Sequence, residues 1–152
     1  MTGDKINIMD MLQLTSTYCQ LAGHNLFKNT VKLDITAEQF GIIFILHYKD
    51  GLYQSQIAKL LKKDRPNITR MVNILAKKGY ITKNKDEKNK KIVKLFITEK
   101  GKITAEKMEP LRLEFYKNMT DGLEDKDIDT LQSLLEKIRN NMTKHYGINV
   151  WQ

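Results

Sequence analysis

Apolar side chains recur in a helical rhythm over most of the chain, and that rhythm breaks once. Between residues 5 and 31 they fall at Ile8, Leu12, Cys19, Ala22 and Leu26, close to a four-residue step, which predicts one long amphipathic helix. Gly23 weakens it slightly. Asp34-Ile35 make a short connection, and Thr36-Ala37-Glu38-Gln39 has the form of a capping box, Thr at the cap and Gln three positions on. The run FGIIFILHY is apolar nearly all round, so it reads as a buried helix, closed by Lys49-Asp50-Gly51.

Two short helices joined tightly come next. Gln54 to Leu61 turns Ile57, Leu60 and Leu61 inward, with small Ala58 where another helix can cross closely. Lys62-Lys63 makes the turn, Asp64 caps, and Pro66 is tolerated in a first turn because its missing N–H is an orphan there. The helix that follows runs to Lys78, with Ile68, Met71, Val72 and Leu75 as its i, i+3, i+4, i+7 inner face. Gly79 ends it, and Lys77 and Lys78 sit in the last turn, where the helix dipole favours cations.

After Gly79 the period changes. Tyr80 to Lys83 and Ile92 to Ile97 are β-branched or aromatic runs, the second alternating Val93, Leu95 and Ile97 against Ile92, Lys94 and Phe96. The charged stretch NKDEKNKK between them reads as a hairpin tip. Thr98-Glu99-Lys100-Gly101 opens another helix, interrupted or re-entered near Pro110 and fading around Asp121-Gly122. A last helix from Asp125 to His145 carries Ile128, Leu131, Leu135, Ile138 and Met142 on one stripe. The fold class expected is mainly α with a small β-hairpin wing: a winged helix-turn-helix core flanked by long helices.

Composition bounds the possibilities. At 152 residues the chain fits one compact domain, or one small domain with helical extensions, with little room for a separate catalytic part. The single cysteine, Cys19, excludes an intrachain disulfide and a multi-cysteine zinc site. The opening MTGDKINIMDMLQL lacks a signal-peptide pattern, and no stretch approaches the roughly 18 apolar residues of a spanning helix. A cytoplasmic protein with no membrane partner is expected.

Charge changes the picture by its position. The net charge is +8, but residues 54–102 hold 15 Lys+Arg against 4 Asp+Glu, a balance of +11, while the remainder balances to −3. A clustered cationic block gains affinity for polyanions by releasing condensed counterions. It coincides with the helix-turn-helix, whose second helix enters the major groove while the first crosses the backbone. Opposite the apolar stripe of that second helix stand Arg65, Asn67, Thr69, Arg70 and Asn73. Arginine bonds guanine bidentately, asparagine bonds adenine, and threonine suits phosphate or a thymine methyl. Gln54, Ser55 and Gln56 start the preceding helix, where free N–H groups and polar side chains suit a phosphate. Lys83, Lys85, Lys88, Lys90 and Lys91 make the hairpin tip a candidate contact with the flanking minor groove or backbone. The expected partner is double-stranded DNA, which would make the protein nucleoid-associated when bound; a nonspecific DNA coat and a protein-binding winged helix remain as alternatives.

With these residues in place, the stretch from Ile35 to Gly101 resembles the winged helix-turn-helix core of the MarR family of bacterial transcriptional regulators. The segments that carry the resemblance are ITAEQFGIIFIL, QSQIAKLLKKDRPNITRMVNILAKKGYI and LFITEKG, in the family's order. The resemblance implies a homodimer on a pseudo-palindromic operator, usually a repressor, often released by a small ligand or by oxidation. It divides the chain into an N-terminal dimerisation helix (1–33), the DNA-binding core (34–101) and C-terminal helices completing the dimerisation region (102–152). It also implies a ligand cleft between dimerisation helices and winged helix, lined by Phe27, Phe40, Phe44 and His47, for a small aromatic or lipophilic effector. At helical spacing the same residues also read as core. One departure is local: where the family's wing carries an Asp-x-Arg, this chain has Asn89-Lys90-Lys91, with Asp86-Glu87 displaced toward the start of the loop. Lysine lacks the planar fork of arginine, so looser phosphate contacts are expected from this wing.

Other chemistry finds little footing. There is no Gly-rich phosphate loop, no G-x-S-x-G and no H-E-x-x-H, so no enzyme and no cofactor are expected. His24, His47 and His145 lie on three different helices without ligand spacing, so no metal is expected. Cys19 is mid-helix on the apolar stripe with no basic neighbour in sequence to lower its pKa, and reads as packing rather than redox.

Overall fold

The computed structural model describes residues 7–89 and 92–151. The chain divides into two compact units, Met1–Glu38 and Gln39–Gln152. The first is built on helix α1 (Ile8–Thr30), which starts at Asn7. Asn7 Oδ1 accepts the N–H groups of Met9 at 2.9 Å and Asp10 at 3.0 Å, two donors that have no partner inside the helix. Of the predicted stripe, Leu12, Cys19 and Leu26 are half-buried while Ile8 and Ala22 are exposed. Met9, Met11, Leu14, Tyr18 and Leu21 of α1 are exposed as well, and Phe27 is its buried residue.

The second unit is organised around helix α2 (Ala37–Tyr48), whose Ile42, Ile43 and Leu46 are fully buried. Such side chains contribute roughly 1.5–3 kcal/mol each. Helices α3 (Gln54–Leu61) and α4 (Arg65–Lys77) form the helix-turn-helix. The turn closes through Lys62 in the left-handed region (φ 52°), with Lys63 N–H reaching Ala58 O at 3.1 Å. Ile57 of α3 and the predicted α4 stripe, Ile68, Met71, Val72 and Leu75, are all buried.

The sheet holds one strand more than the sequence predicts. Strand β1 (Leu52–Tyr53) precedes α3 and pairs antiparallel with β3 (Val93–Ile97), Leu52 opposite Leu95 and Tyr53 opposite Lys94. Two residues are too few to display an alternation, so β1 exists only through its partner. Strand β2 (Ile81–Lys85) pairs with the other edge of β3, from Ile81 opposite Ile97 to Lys85 opposite Val93. The order β1-β3-β2 puts Leu95 at the buried centre. Because β2 extends to Lys85, Lys83 and Lys85 are strand residues rather than part of the tip.

Helix α5 (Glu99–Lys107) is followed by α6 (Glu109–Met119) and α7 (Asp125–Tyr146). The break expected near Pro110 falls at Met108, and Pro110 lies in the first turn of α6, where a proline is at home. Neither α6 nor α7 has a buried residue. On the α7 stripe Ile128, Leu135 and Ile138 are half-buried, whereas Leu131 and Met142 are exposed. Gly147, at φ 65°, ends α7 and turns the chain back. The Trp151 ring then lies 6.3 Å from that of Tyr48, with Lys49 Nζ 5.0 Å from its centroid.

Candidate nucleic-acid interface

The exposed face of α4 is prepared by how the helix begins. Asp64 is extended and its Oδ1 accepts Asn67 N–H at 2.8 Å; Pro66 sits in the first turn. With the apolar stripe facing inward, Arg65, Thr69, Arg70 and Asn73 are left exposed and Asn67 half-buried. Arg65, Pro66, Thr69, Arg70, Asn73 and Ile74 line one open depression along this face.

The face is cross-braced. Arg70 Nη2 donates to Asn67 Oδ1 at 3.3 Å, Gln54 Nε2 to Thr69 Oγ1 at 2.6 Å, and Lys83 Nζ to Asn73 Oδ1 at 2.7 Å. Gln54 thus ties the start of α3 to α4, and Lys83 ties the wing's strand to α4. The structure therefore brings the α4 set, Gln54 and Lys83 onto one surface, and Ser55 is exposed beside Gln54.

Gln56 departs from the expectation that all three side chains at the α3 start are available to a phosphate. It is buried at 7% exposure, its Oε1 accepts Tyr53 N–H at 2.8 Å, and its Nε2 donates to Trp151 O at 2.8 Å. Its amide serves the interior because position 56 faces inward, one residue before Ile57. Lys85 and Lys88 are exposed; Lys90 and Lys91 lie outside the described residues.

The wing carries a cluster that sequence reasoning missed. Asp86 Oδ1 accepts the N–H groups of Lys88 at 3.0 Å and Asn89 at 2.9 Å, and its Oδ2 accepts the Tyr53 hydroxyl at 3.2 Å. Lys94 Nζ stands 5.7 Å from the Tyr53 ring and 5.6 Å from that of Phe96. The bond from Asn89 N–H, then those from Lys88 N–H and Tyr53, together with the Lys94 charge, hold the Asp86 carboxyl below its ordinary 3.8 against some desolvation. The hydrogen bond to Asp86 and its charge push the Tyr53 phenol above 10.0. A carboxyl lowered by folding stabilises above its unfolded pKa and loses that contribution as pH falls through the folded one. A raised phenol stabilises below its unfolded pKa and loses the contribution as pH rises through the folded one. The cluster is therefore intact at neutral pH. A carbon-detected NMR titration should place the Asp86 midpoint below 3.8, and a midpoint at or above 3.8 shows the cluster unformed. No sequence pattern links residues 53 and 86; only the β1–β3 pairing brings them together.

The remaining candidates are dispersed. Phe40 and Phe44 lie one turn apart on α2, ring centroids 6.5 Å apart, with Phe44 38% exposed, and His47 follows on the exposed surface. Phe27 belongs to the first unit and Cys19 is half-buried on α1. Among the described residues no three His, Cys, Asp or Glu side chains gather as metal ligands, and no helix is long and apolar enough to cross a membrane.

A helix-turn-helix followed by a sheet with a cationic wing defines a winged-helix protein. Comparison with known proteins places it further. The model of the MarR family matches residues 35–93. The uncharacterised HTH-type transcriptional regulator YybA of Bacillus subtilis is 33% identical over 118 residues, 75% of this chain and 76% of that one. The HTH-type transcriptional regulator BilQ of Clostridium symbiosum is 28% identical over 108 residues, 69% of this chain and 75% of its own. Among solved structures, a putative MarR family regulator from Listeria monocytogenes in complex with 26mer DNA aligns with a TM-score of 0.73 and 24% identity, over 92% of this chain and 91% of that one. Wild-type MarR from E. coli, in its apo form, aligns at 0.72 and 21%, over 89% and 98%. The two structures share the fold. The chain belongs to the MarR family of transcriptional regulators.

Proposed function

We propose that this regulator binds a pseudo-palindromic DNA operator as a homodimer and represses the genes beside it. The observation that carries this reading is the α4 face with Arg65, Thr69, Arg70 and Asn73 exposed and Asn67 half-buried beside them, set within the +11 block of the sequence. Two such helices, one per subunit, enter successive major grooves about 10 bp apart. Ser55 and Gln54 approach phosphate at the start of α3, and Lys83, Lys85, Lys88, Lys90 and Lys91 contribute charge from the wing. The relative solved with 26mer DNA supports the choice of ligand.

The dimer is supported by apolar surface that the single chain leaves uncovered. On α6 and α7, Leu113, Tyr116, Met119, Leu131, Leu134 and Met142 are exposed, more than scattered surface residues account for. We assign residues 102–152 and 1–33, each through its own exposed apolar positions, to contacts with the second subunit, and 34–101 to DNA. A small aromatic or lipophilic effector bound against Phe40, Phe44 and His47 releases the DNA in this proposal, supported by the exposed Phe44 ring.

The test is a titration of labelled duplex from the region upstream of its own gene, run beside a scrambled duplex at several salt concentrations. The expected result is steep loss of affinity with salt and clear preference for the native duplex, from a species of twice the 17.7 kDa chain mass by light scattering. Equal affinity for both duplexes marks a nonspecific DNA binder. No binding at low salt marks a protein-binding module.

A further inference from the structure

The wing's turn is held from outside the hairpin. The β2–β3 pairing ends at Lys85 opposite Val93, and the next residue, Asp86, takes over. Its N–H donates to Ile92 O at 2.9 Å, and one carboxylate oxygen gathers the N–H groups of Lys88 and Asn89. The other oxygen accepts the hydroxyl of Tyr53, which belongs to β1 and lies 33 residues away in sequence. Tyr53 is anchored in turn, because its N–H is held by the buried Gln56 of α3. Tyr53 thus links the helix-turn-helix, through its backbone, to the wing, through its hydroxyl.

We propose that Tyr53 and Asp86 are positioning residues for DNA binding, a clasp that fixes the wing against the helix-turn-helix. The proposal rests on the DNA-binding reading above. A two-stranded hairpin is marginal by itself, and lysines on a mobile base lose more entropy when they meet phosphate. Lys85 and Lys88, exposed on either side of Asp86, gain most from a fixed base. The carboxylate itself repels phosphate, so an acid with no positioning role here would weaken DNA binding. That opposition gives the proposal its sharp test.

The full-length protein, Tyr53→Phe, Asp86→Ala and Asp86→Asn are titrated with the same labelled upstream duplex across a salt series. Asp86→Ala should bind about three- to tenfold more weakly although it removes a negative charge, with a salt slope shallower by about one. Tyr53→Phe should weaken binding in the same direction with charge unchanged. It keeps the ring and the backbone bond to Gln56, so it serves should Asp86→Ala fold poorly. Asp86→Asn keeps one oxygen for the Lys88 and Asn89 N–H groups, and its amide can donate to the Tyr53 hydroxyl. The negative charge is gone, so it should match or exceed the wild type. Tighter or unchanged binding by Asp86→Ala and Tyr53→Phe overturns the clasp and leaves the DNA reading standing. A wild-type protein that binds no DNA overturns the reading, and the clasp with it.

Discussion

Replacing Arg70 or Arg65 with alanine is expected to cost about 1–3 kcal/mol of binding to the native duplex, roughly 5- to 150-fold, and to erode its preference over scrambled DNA. Both arginines are exposed on α4, opposite the buried Ile68, Met71, Val72 and Leu75. A bidentate arginine–guanine contact reads sequence, so its removal falls on the specific duplex. Lys88→Ala is the control: a phosphate contact from the wing should weaken both duplexes alike and make the salt slope shallower by about one. Arg70 carries an added consequence. Its guanidinium bonds Asn67 at 3.3 Å, so Arg70→Ala also releases the Asn67 side chain, and the Arg70→Ala, Asn67→Ala pair should be non-additive. Undiminished preference in Arg65→Ala and Arg70→Ala would remove α4 as the reading element.

The second large effect concerns stability. Gly101→Ala is expected to destabilise the protein by about 1–3 kcal/mol, lowering Tm by roughly 2–12 °C in a thermal melt. A Cβ at Gly101 would overlap the carbonyl oxygen of Tyr80 and approach Ile97 Cγ1 to 2.7 Å. Neither neighbour yields easily. Tyr80 is buried and its carbonyl accepts Thr98 N–H at 3.1 Å, while Ile97 ends the central strand β3. Thr98 caps α5 by accepting Gly101 N–H at 3.2 Å, and its hydroxyl lies 2.6 Å from Gly79 O. The glycine is what lets α5 begin against the sheet. Gly41→Ala makes the contrast, since its Cβ would lie 3.7 Å from Leu61 Cδ2, an ordinary contact. That helix-interior substitution should be neutral or stabilising by about 0.4–1 kcal/mol. Equal melts for the two variants would contradict the close approach at residue 101.

Much of this architecture was legible in the chain because its signals are local. The i, i+3, i+4, i+7 stripe of α4 needs one helix to be read, and all four members are buried. Asp64 before Arg65-Pro66 announces the helix start, and the cap is present at 2.8 Å. What escaped depends on distant partners. Strand β1 is two residues long and is defined by Leu95 and Lys94 of β3. Gln56 looked like an exposed polar residue at a helix start, yet its amide is buried between Tyr53 N–H and Trp151 O, 95 residues on. Asp86 looked like a displaced acid, and its bond to Tyr53 gives it a task.

The linear order of side chains therefore suffices for the helices and the hairpin strands of this protein, for the cationic block over the helix-turn-helix, and for the face of α4 that carries Arg65 and Arg70, though not for β1. Periodicity and charge are properties of neighbours along the chain, and they survive without knowledge of the fold. The tertiary structure alone decides that Gly101 has no room for a methyl group, that Gln56 faces inward, and that Tyr53 holds the wing through Asp86. Each of these turns on two groups far apart in sequence meeting at hydrogen-bond or van der Waals distance. No local pattern encodes such a meeting; the packing of β1, β3 and α5 does.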